Sequence, residues 1–182
     1  FGDGAINEGE FHESLNLAAL WNLPVIFFCE NNGYGMGSPV SKTFAGTDIS
    51  KFADVYGMDS AGKIDGMDVF KVIDATREAV TKARKGLGPS LIEAKTYRFR
   101  GHSMADPLKY RKKTEEEEWR NKGPILIMKQ HMNKLGFLTP PVLEGLESEI
   151  EGIVQDSVKF AEQSPYLPTT AITEEIYASN KP

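Results

Sequence analysis

The chain has 182 residues, enough for one substantial hydrophobic core, and its length favours a single domain. A formal net charge of −5, without a basic stretch interleaved with aromatic residues, argues against nucleic-acid binding. The longest apolar run, Pro24 to Cys29, is too short to span a bilayer, and the single cysteine excludes an internal disulfide and a cysteine-based zinc cluster.

The chain opens at Phe1-Gly2-Asp3-Gly4, a loop pattern that would normally follow a buried strand. Because no such strand precedes it, we expect the chain to be the C-terminal part of a longer polypeptide. Any targeting segment would then lie outside the sequence.

A helix, a strand and a loop are the first predicted elements. Residues 6–20 carry apolar side chains at helical spacing, directly after the Gly-Asp-Gly loop. Residues 24–29 are continuously apolar and rich in Val, Ile and Phe, which predicts a fully buried strand. Residues 30–47 are rich in Asn and Gly and are predicted to form a loop.

A short helix near residues 49–56 is predicted next, and either Thr47 or Asp48 can cap it. Residues 58–64 follow as a predicted strand, which ends at the Asp65-Gly66 turn.

The clearest predicted helix is capped by Asp68 and ends at Gly86. Its spacing predicts a buried face made of Val69, Ile73, Thr76, Val80 and Ala83. Residues 89–97 predict a third strand. This alternation of strands and helices predicts an α/β fold with a parallel sheet and crossover helices.

Residues 98–113 are polar and are predicted to be irregular, whereas the chain beyond them is predicted to be helical. Breaks are expected at Gly123-Pro124 and within residues 136–141. We therefore divide the chain into an α/β part, residues 1–113, and a helical C-terminal extension, residues 114–182, which packs on the same domain.

Polar residues follow two of the predicted strand ends. Gly2-Asp3-Gly4-Ala5 leads into the first helix, and the loop from Glu30 to Gly35 follows the strand over residues 24–29. Ligands gather at the carboxyl ends of parallel strands, and neighbouring strands lie about 4.8 Å apart, so the two loops should meet. Together they offer a carboxylate, a carboxamide oxygen and backbone carbonyls beside a helix N-terminus. These are groups that suit Mg²⁺ and phosphate.

Two other ligands fit this sequence less well. Zinc is excluded because neither loop contains a thiolate or a histidine. A nucleotide phosphate loop built on residues 2–4 is disfavoured, because the Gly-x-Gly-x-x-Gly pattern is absent and no Lys follows the glycines.

The spacing between the two loops is more specific than either loop alone. Gly-Asp-Gly, then residues 5–30 with a helix and a strand, then Asn-Asn, is the spacing of the thiamine-diphosphate motif. The segment GDGAINEGEFHESLNLAALWNLPVIFFCENNGYGMG resembles the alpha subunits of pyruvate dehydrogenase and related 2-oxo acid dehydrogenases, as do KIDGMDVFKV, GPSLIEAKTYRFRGHSMADP and EEIYAS. The resemblance spans nearly the whole chain. It implies a parallel-sheet thiamine-diphosphate-binding fold that is incomplete at its N-terminus.

The resemblance also implies a set of ligands. Asp3, the side-chain oxygen of Asn32 and the main-chain carbonyl of Tyr34 match the residues that bind Mg²⁺ in this family. The backbone at Gly4 and Ala5, together with the Asn32 side chain, matches the groups that hold the diphosphate of thiamine diphosphate.

His102 lies in a polar loop beyond a predicted strand end, where pocket residues are expected. The resemblance implies that it reaches the diphosphate and the reacting centre, as the catalytic residue of this chain. It also makes Ser103 a candidate phosphosite, because that position is phosphorylated in regulated members of the family. The two other regulatory serines have no counterpart, since Pro39 occupies one position and the stretch 106–110 lacks the other.

The reaction implied is the oxidative decarboxylation of pyruvate, with acyl transfer to a lipoyl group of an acyltransferase component. The expected partner is a beta subunit in a heterotetramer, which supplies the glutamate that activates the cofactor. The isolated chain is therefore expected to be inactive. The expected location is the cytoplasm in a bacterium and the mitochondrial matrix or plastid in a eukaryote.

Alternatives remain open within and outside the family. Acetoin dehydrogenases resemble the first loop equally well but differ after Gly-His, and branched-chain 2-oxo acid dehydrogenases differ in both places. The alternative of another class is a non-catalytic partner that keeps the fold. That alternative predicts no binding of thiamine diphosphate with Mg²⁺.

Other conspicuous residues receive structural interpretations. His12 is expected to be packed or solvated, Cys29 to be buried and unreactive, and His131 to lie at the surface. The acidic run from Glu115 to Glu118 is expected to be the solvated first turn of a helix.

Overall fold

The structure, a computed structural model, describes residues 1–46 and 48–173. The chain divides into two compact units between Met132 and Asn133. The candidate cap Thr47 and the segment EEIYAS lie outside the described residues. Our division of the chain at residue 113 stays a prediction.

A three-stranded parallel sheet organises the first unit. The strands in the described residues are β1 (Ile26–Asn31), β2 (Tyr34–Gly35), β3 (Ser38–Pro39), β4 (Asp59–Asp65) and β5 (Ser90–Lys95). The order of the parallel sheet is β1-β5-β4, with Ser90 opposite both Ile26 and Asp59. β2 and β3 form a small antiparallel ladder within the predicted loop 30–47. The predicted parallel α/β fold is confirmed.

Helices connect the strands of the first unit, and further helices follow them along the chain. The α-helices are α1 (Gly9–Leu20), α2 (Val40–Thr43), α3 (Phe52–Tyr56), α4 (Val69–Arg84), α5 (Lys113–Arg120), α6 (Pro124–Lys134) and α7 (Pro140–Gln163). Further 3-10 turns cover Asp3–Asn7, Ile49–Lys51 and Thr169–Thr173. The predicted breaks near residues 123–124 and 136–141 therefore separate α5 from α6 and α6 from α7.

Local sequence chemistry fixes several helix ends. Asp48 accepts the Ser50 N–H at 3.0 Å, and Asp68 accepts the Phe70 N–H at 3.0 Å, so both carboxylates act as the predicted caps. Gly86, just after α4, has a φ of +69°, a conformation that favours glycine.

Apolar side chains cover both faces of the parallel sheet. On one face, α1 and the helical segment 49–56 enclose a core made of Ile6, Phe11, Leu15, Cys29, Ile49, Ala53, Met58 and Leu91. On the other face, Ala75 and Ala79 of α4 pack against Ile92 of β5. The predicted burial of Cys29 is confirmed, and that burial raises the pKa of its thiol to about 12. The thiol therefore stays protonated and is a poor nucleophile.

The buried face of α4 differs in part from the predicted one. Val69 and Ile73 are 40% and 41% exposed, whereas Ala75 and Ala79 are buried. The remaining residues of the predicted face are half-buried: Thr76, Val80 and Ala83. Both faces satisfy helical spacing. The small alanine side chains let the helix lie close to the sheet, so packing selects the face with less bulk.

β1 is less buried than its apolar sequence predicts. Ile26, Phe27 and Phe28 are only half-buried, whereas β5 is buried from Ser90 to Ala94. β5 is the central strand, and β1 lies beside it with its outer edge turned towards the first residues of the chain. There the backbone nitrogen of Phe1 donates to the Phe28 carbonyl at 3.0 Å, and the Phe1 carbonyl accepts the Glu30 N–H at 2.8 Å.

The second unit contains most of its described structure in α7. This helix carries a series of exposed apolar residues: Val142, Leu146, Ile150, Ile153, Val154, Val158 and Phe160. Across the described residues, no helix combines the length and the apolar character needed to cross a membrane.

Candidate functional site

The two predicted loops meet at the carboxyl end of β1. Gly2 pairs in parallel with Glu30, and the Asn32 N–H donates to Asp3 Oδ1 at 3.1 Å. A cavity of about 450 Å³ opens there. Its wall includes every residue predicted to bind metal or cofactor: Asp3, Gly4, Ala5, Asn32, Tyr34 and His102.

Glycine allows the close approach of these loops. A Cβ built on Gly4 would lie 3.2 Å from the Gly35 Cα, and a Cβ on Gly35 would lie 3.2 Å from the Gly4 Cα. A side chain at either position would press on the backbone of the opposite loop, so that loop would have to move to accommodate it. The narrow gap between the loops therefore depends on both glycines.

Asp3 is a buried carboxylate that is only partly satisfied. Its side chain is 1% exposed, and Oδ1 accepts the Asn32 N–H, but Oδ2 has no hydrogen-bond partner among the described residues. A buried carboxylate oxygen without a donor is costly, because its lost hydration is not replaced. A bound cation at the cavity wall would supply the missing partner.

Two neutral oxygens accompany this carboxylate at the cavity wall. Asn32 Oδ1 accepts the Tyr34 N–H at 3.1 Å, which holds the side chain in a tight turn. The Tyr34 carbonyl accepts a long hydrogen bond of 3.4 Å from Arg98. Each oxygen has a second lone pair for a cation. In the part of the chain that the structure describes, no three His, Cys, Asp or Glu side chains cluster. The candidate ligands include only one such side chain, Asp3, because the other two ligands are neutral oxygens. The candidate site therefore does not need a cluster of that kind.

The helix expected at the first loop begins later than predicted. A 3-10 turn covers Asp3–Asn7, and α1 begins only at Gly9, because the intervening Glu8 is extended with φ −84° and ψ 143°. The Ala5 N–H already donates to the Gly2 carbonyl at 3.1 Å. The site therefore lies beside a 3-10 turn, and α1 does not begin directly after the Gly-Asp-Gly loop.

Arg98 joins the second loop to the segment that carries His102. Its guanidinium donates to the Met36 carbonyl and, at 3.0 Å, to the Tyr110 hydroxyl, besides its longer bond to Tyr34. It also lines the cavity, where it supplies a positive charge. Sequence reasoning missed this residue. The only available signal was a cation shortly before a predicted pocket histidine.

Arg111 anchors the same segment from within the protein. It is 8% exposed, and its guanidinium carbon lies 4.5 Å, 4.8 Å and 5.5 Å from the ring centroids of Tyr34, Tyr97 and Tyr110. Its Nη1 donates to the Arg98 carbonyl. The cation therefore connects the segment after β5 to the ring of Tyr34.

Glu115 departs from the expected solvated run. Its carboxylate accepts the Tyr34 hydroxyl at 2.8 Å and 3.0 Å, across 81 positions of sequence. Burial, followed by this hydrogen bond, raises the pKa of Tyr34 to about 12. The first turn of α5 therefore holds the ring of Tyr34, a residue that lines the cavity.

A compact turn presents His102 at the cavity. Asp106 accepts the His102 N–H at 2.8 Å, the Tyr110 hydroxyl at 2.5 Å and the Leu108 N–H at 3.0 Å. His102 and Ser103 are both exposed, but only His102 is among the residues that line the cavity.

The Asp106 carboxylate is expected to hold this turn in place. Its hydrogen bond from Tyr110, followed by those from the His102 and Leu108 N–H groups, lowers its pKa to about 2. A lowered folded-state pKa means that the carboxylate stabilises the turn above its unfolded value, about 3.9. We expect that stabilisation to be lost as the pH falls from about 4 towards 2.

The Asp106→Asn variant should reproduce the loss at neutral pH, because an amide cannot accept on both sides. Amide exchange at His102 should become severalfold faster. The matched control is Asp74→Asn, which removes an exposed carboxylate paired with Arg77 at 3.8 Å. Unchanged exchange at His102 in Asp106→Asn would contradict the proposed role of this carboxylate.

The remaining histidines have packing roles. His12 is half-buried, makes a 3.1 Å hydrogen bond with the Tyr56 hydroxyl and lies edge-on to Phe11 and Phe52. His131, expected at the surface, is half-buried and lies edge-on to Phe70 at 5.5 Å.

Comparison with known proteins identifies a family and several relatives. Residues 1–170 match the family described as Dehydrogenase E1 component. The chain is 46% identical over 166 residues to the pyruvate dehydrogenase E1 component subunit alpha of Rhizobium meliloti (strain 1021), a match that covers 91% of this chain and 47% of that protein. It is 41% identical over 185 residues to the somatic mitochondrial form of that subunit from Homo sapiens, covering 100% and 46%. It is 38% identical over 181 residues to the chloroplastic subunit alpha-3 from Oryza sativa subsp. japonica, covering 100% and 42%. The chain spans about half the length of the curated relatives it matches.

Proposed function

We propose, from the premise that the chain belongs to the Dehydrogenase E1 component family, that it anchors thiamine diphosphate and Mg²⁺ in the alpha subunit of a pyruvate dehydrogenase. The observation that carries this proposal is the buried Oδ2 of Asp3, which has no partner among the described residues, in a residue that lines the same cavity as Asn32 and Tyr34. The reaction proposed is oxidative decarboxylation of pyruvate, with acyl transfer to a lipoyl group.

The donor set fits Mg²⁺. This ion prefers hard oxygen ligands, takes few of them from protein and fills the rest with water and phosphate. Asp3 would supply the charge, and Asn32 Oδ1 and the Tyr34 carbonyl would supply two neutral ligands. A site with this few protein ligands leaves the remaining positions to a diphosphate.

Thiamine diphosphate, on which the family depends in general, supplies the carbanion chemistry when it is bound. The chain's own residues would bind and orient it. Gly4 and Gly35 line the cavity without side chains, so a diphosphate in the cavity could approach their backbone closely. Arg98 would offset negative charge at the cavity wall, and His102 would face the reacting centre from the turn that Asp106 holds.

The proposed partners follow from the names of the relatives, which are alpha subunits of an E1 component. We propose a beta subunit of the same dehydrogenase, in a heterotetramer, as the partner that completes the active site. The acyl group would then pass to the acyltransferase component. Pyruvate is favoured over acetoin or branched-chain substrates, because the relatives from Rhizobium meliloti, Homo sapiens and Oryza sativa are named pyruvate dehydrogenases.

Calorimetric titration of the full-length protein with thiamine diphosphate tests this proposal. We expect saturable binding with one cofactor per chain when Mg²⁺ is present and greatly weakened binding when a chelator removes it. Binding that is absent under both conditions would favour the non-catalytic partner. Equal binding under both conditions would exclude the proposed role of the metal.

A further inference from the structure

A carboxylate outside the cavity lies at the centre of the parallel sheet. Glu93 of β5 is 0% exposed and receives hydrogen bonds from Asn31 Nδ2 at 2.7 Å, from the Ile49 N–H at 2.7 Å and from the Ser50 N–H at 3.0 Å. Lys63 Nζ lies 3.5 Å from the same carboxylate. We infer that Glu93 is a positioning residue that sets the Asn32–Tyr34 turn through Asn31, an inference that rests on the proposed function.

We call the series of hydrogen bonds from Glu93 through Asn31 to the Asn32–Tyr34 turn the relay. Its first step lies between Glu93 and the side chain of Asn31. Glu93 Oε1 fixes the amide nitrogen of Asn31, so the amide oxygen points in a defined direction. That oxygen accepts the Gly33 N–H at 3.1 Å and Lys95 Nζ at 3.2 Å. Both ends of the Asn31 side chain are therefore held, one by the sheet and one by the turn.

The second step lies between Asn31 and the cavity. The Asn31 side chain bonds the backbone of Gly33, so it constrains the backbone on both sides of Asn32. Asn32 in turn donates its N–H to Asp3 and accepts the Tyr34 N–H on Oδ1. A change in the orientation of the Asn31 amide would therefore move the carboxamide and carbonyl oxygens of the proposed metal site.

The other oxygen of Glu93 connects the relay to the 3-10 turn at residues 49–51. Oε2 accepts the N–H groups of Ile49 and Ser50, and the latter is shared with the cap Asp48. One buried carboxylate thus joins the cofactor turn to the 3-10 turn at residues 49–51, which lies on the same face of the sheet as α1 and α3.

The chemistry of the contacts requires a carboxylate at this position. Glu93 accepts hydrogen bonds on both oxygens, from Asn31 on Oε1 and from the Ile49 and Ser50 N–H groups on Oε2, and a carboxylate offers an acceptor on each side. Glutamine has nearly the same shape, but its NH₂ group would face donors on one side whichever way the amide is turned. Burial of a charge is costly, so this arrangement is better explained by the positioning of polar loops than by stability alone.

The test uses the full-length protein with its partner subunit. For Glu93→Gln, we expect the dissociation constant of thiamine diphosphate with Mg²⁺ to rise about 10- to 100-fold, the effect usual for residues that orient metal ligands. The turnover at saturating cofactor should change much less, because the reacting groups remain. Calorimetry gives the dissociation constant independently of activity.

Two further variants separate positioning from a merely structural role. Ile92→Val, on the same strand but the opposite face, should lower the melting temperature without changing the dissociation constant. Asn31→Ala should raise the dissociation constant as Glu93→Gln does, and the double variant should add little further, because the two residues act in series.

The outcomes are distinguishable. If Glu93→Gln is destabilised but binds like the wild type, the inference fails while the proposed function stands. If the effects of the two variants add independently, Glu93 does not act through Asn31, which also overturns the inference. If Glu93→Gln does not fold, Asn31→Ala decides, and unchanged binding would overturn the relay. Absence of binding in the wild type would overturn the proposed function and this inference with it.

Discussion

Exchange of Asp3 for asparagine is expected to abolish Mg²⁺-dependent binding of thiamine diphosphate while the fold stays at least as stable as before. Asparagine keeps an oxygen that can accept the Asn32 N–H, so the two loops remain joined. It removes the negative charge from a side chain that is 1% exposed and whose Oδ2 has no partner among the described residues. The amide nitrogen that takes the place of Oδ2 also lacks a partner, but a neutral group costs less to bury than a charge. The free energy of unfolding in metal-free buffer should therefore be unchanged or raised by up to about 1–3 kcal/mol.

Opposite changes in stability and binding would mark Asp3 as a residue kept for its ligand. Calorimetry gives the binding constant, and thermal unfolding in the presence of a chelator gives the stability. Asp54→Asn serves as the control, because Asp54 is 71% exposed and pairs only loosely with Lys51 at 3.5 Å. Magnesium-dependent binding that survives in Asp3→Asn would remove Asp3 from the metal site.

Replacement of Arg111 by methionine is expected to release the segment that carries His102. The guanidinium lies within 5.5 Å of the ring centroids of Tyr34, Tyr97 and Tyr110 and donates to the Arg98 carbonyl. A desolvated cation–π contact contributes about 2 kcal/mol, and a hydrogen bond from a charged group contributes about 1.5–3 kcal/mol.

Two nitrogens of the Arg111 guanidinium are buried without a hydrogen-bond partner in the part of the chain that the structure describes, and their desolvation offsets part of this stabilisation. We therefore expect the variant to lose about 2 kcal/mol, below the sum of the two contributions. Lysine should not restore it, because it lacks the planar fork that faces the rings and the carbonyl together.

Chemical denaturation measures the lost stability, and amide exchange over residues 98–110 shows whether the segment is released. Decarboxylation by the assembled enzyme should fall with it, because His102 is no longer held at the cavity. Arg120→Met is the control, since Arg120 is exposed and lies 5.8 Å from the Phe99 ring. Normal exchange in Arg111→Met would show that other contacts hold the segment.

The parallel sheet and the helix ends could be predicted because their causes are local. The continuous apolar run at residues 24–29 predicts β1, and Asp68 caps α4 through a hydrogen bond to a residue two positions away. The meeting of the two loops was also predictable, because strand order and strand spacing place consecutive carboxyl ends side by side. The direct contact between Asn32 and Asp3 agrees with that reasoning.

The buried face of α4 could not be predicted from spacing. Helical periodicity admits both the Val69 face and the Ala75 face, which differ by a small rotation of the helix. Only the surface against which the helix packs decides between them. The half-burial of β1 could not be predicted either, because its apolar composition does not indicate that it lies beside the central strand and not at the centre.

The polar residues around the site were missed for a different reason. Glu115 reaches Tyr34 across 81 positions, and Asn31 reaches Glu93 across 62. In the sequence Glu115 is one of four consecutive glutamates, and Glu93 is a charged residue within a strand. Nothing in the sequence near either glutamate indicates which residue it contacts. Such pairs become visible only when the fold has brought distant segments together.

The contact between Gly4 and Gly35 makes the substitutions allowed at each of these two positions depend on the residue at the other. A Cβ at either position lies 3.2 Å from the Cα of the other, so a side chain at one can be accommodated only if the opposite loop retreats. Neither glycine has a neutral single-step route to a larger residue, and replacing both increases the crowding. Divergence at this edge of the sheet is therefore expected to proceed through the neighbours of the two glycines, such as the exposed Met36, while the glycine pair itself persists.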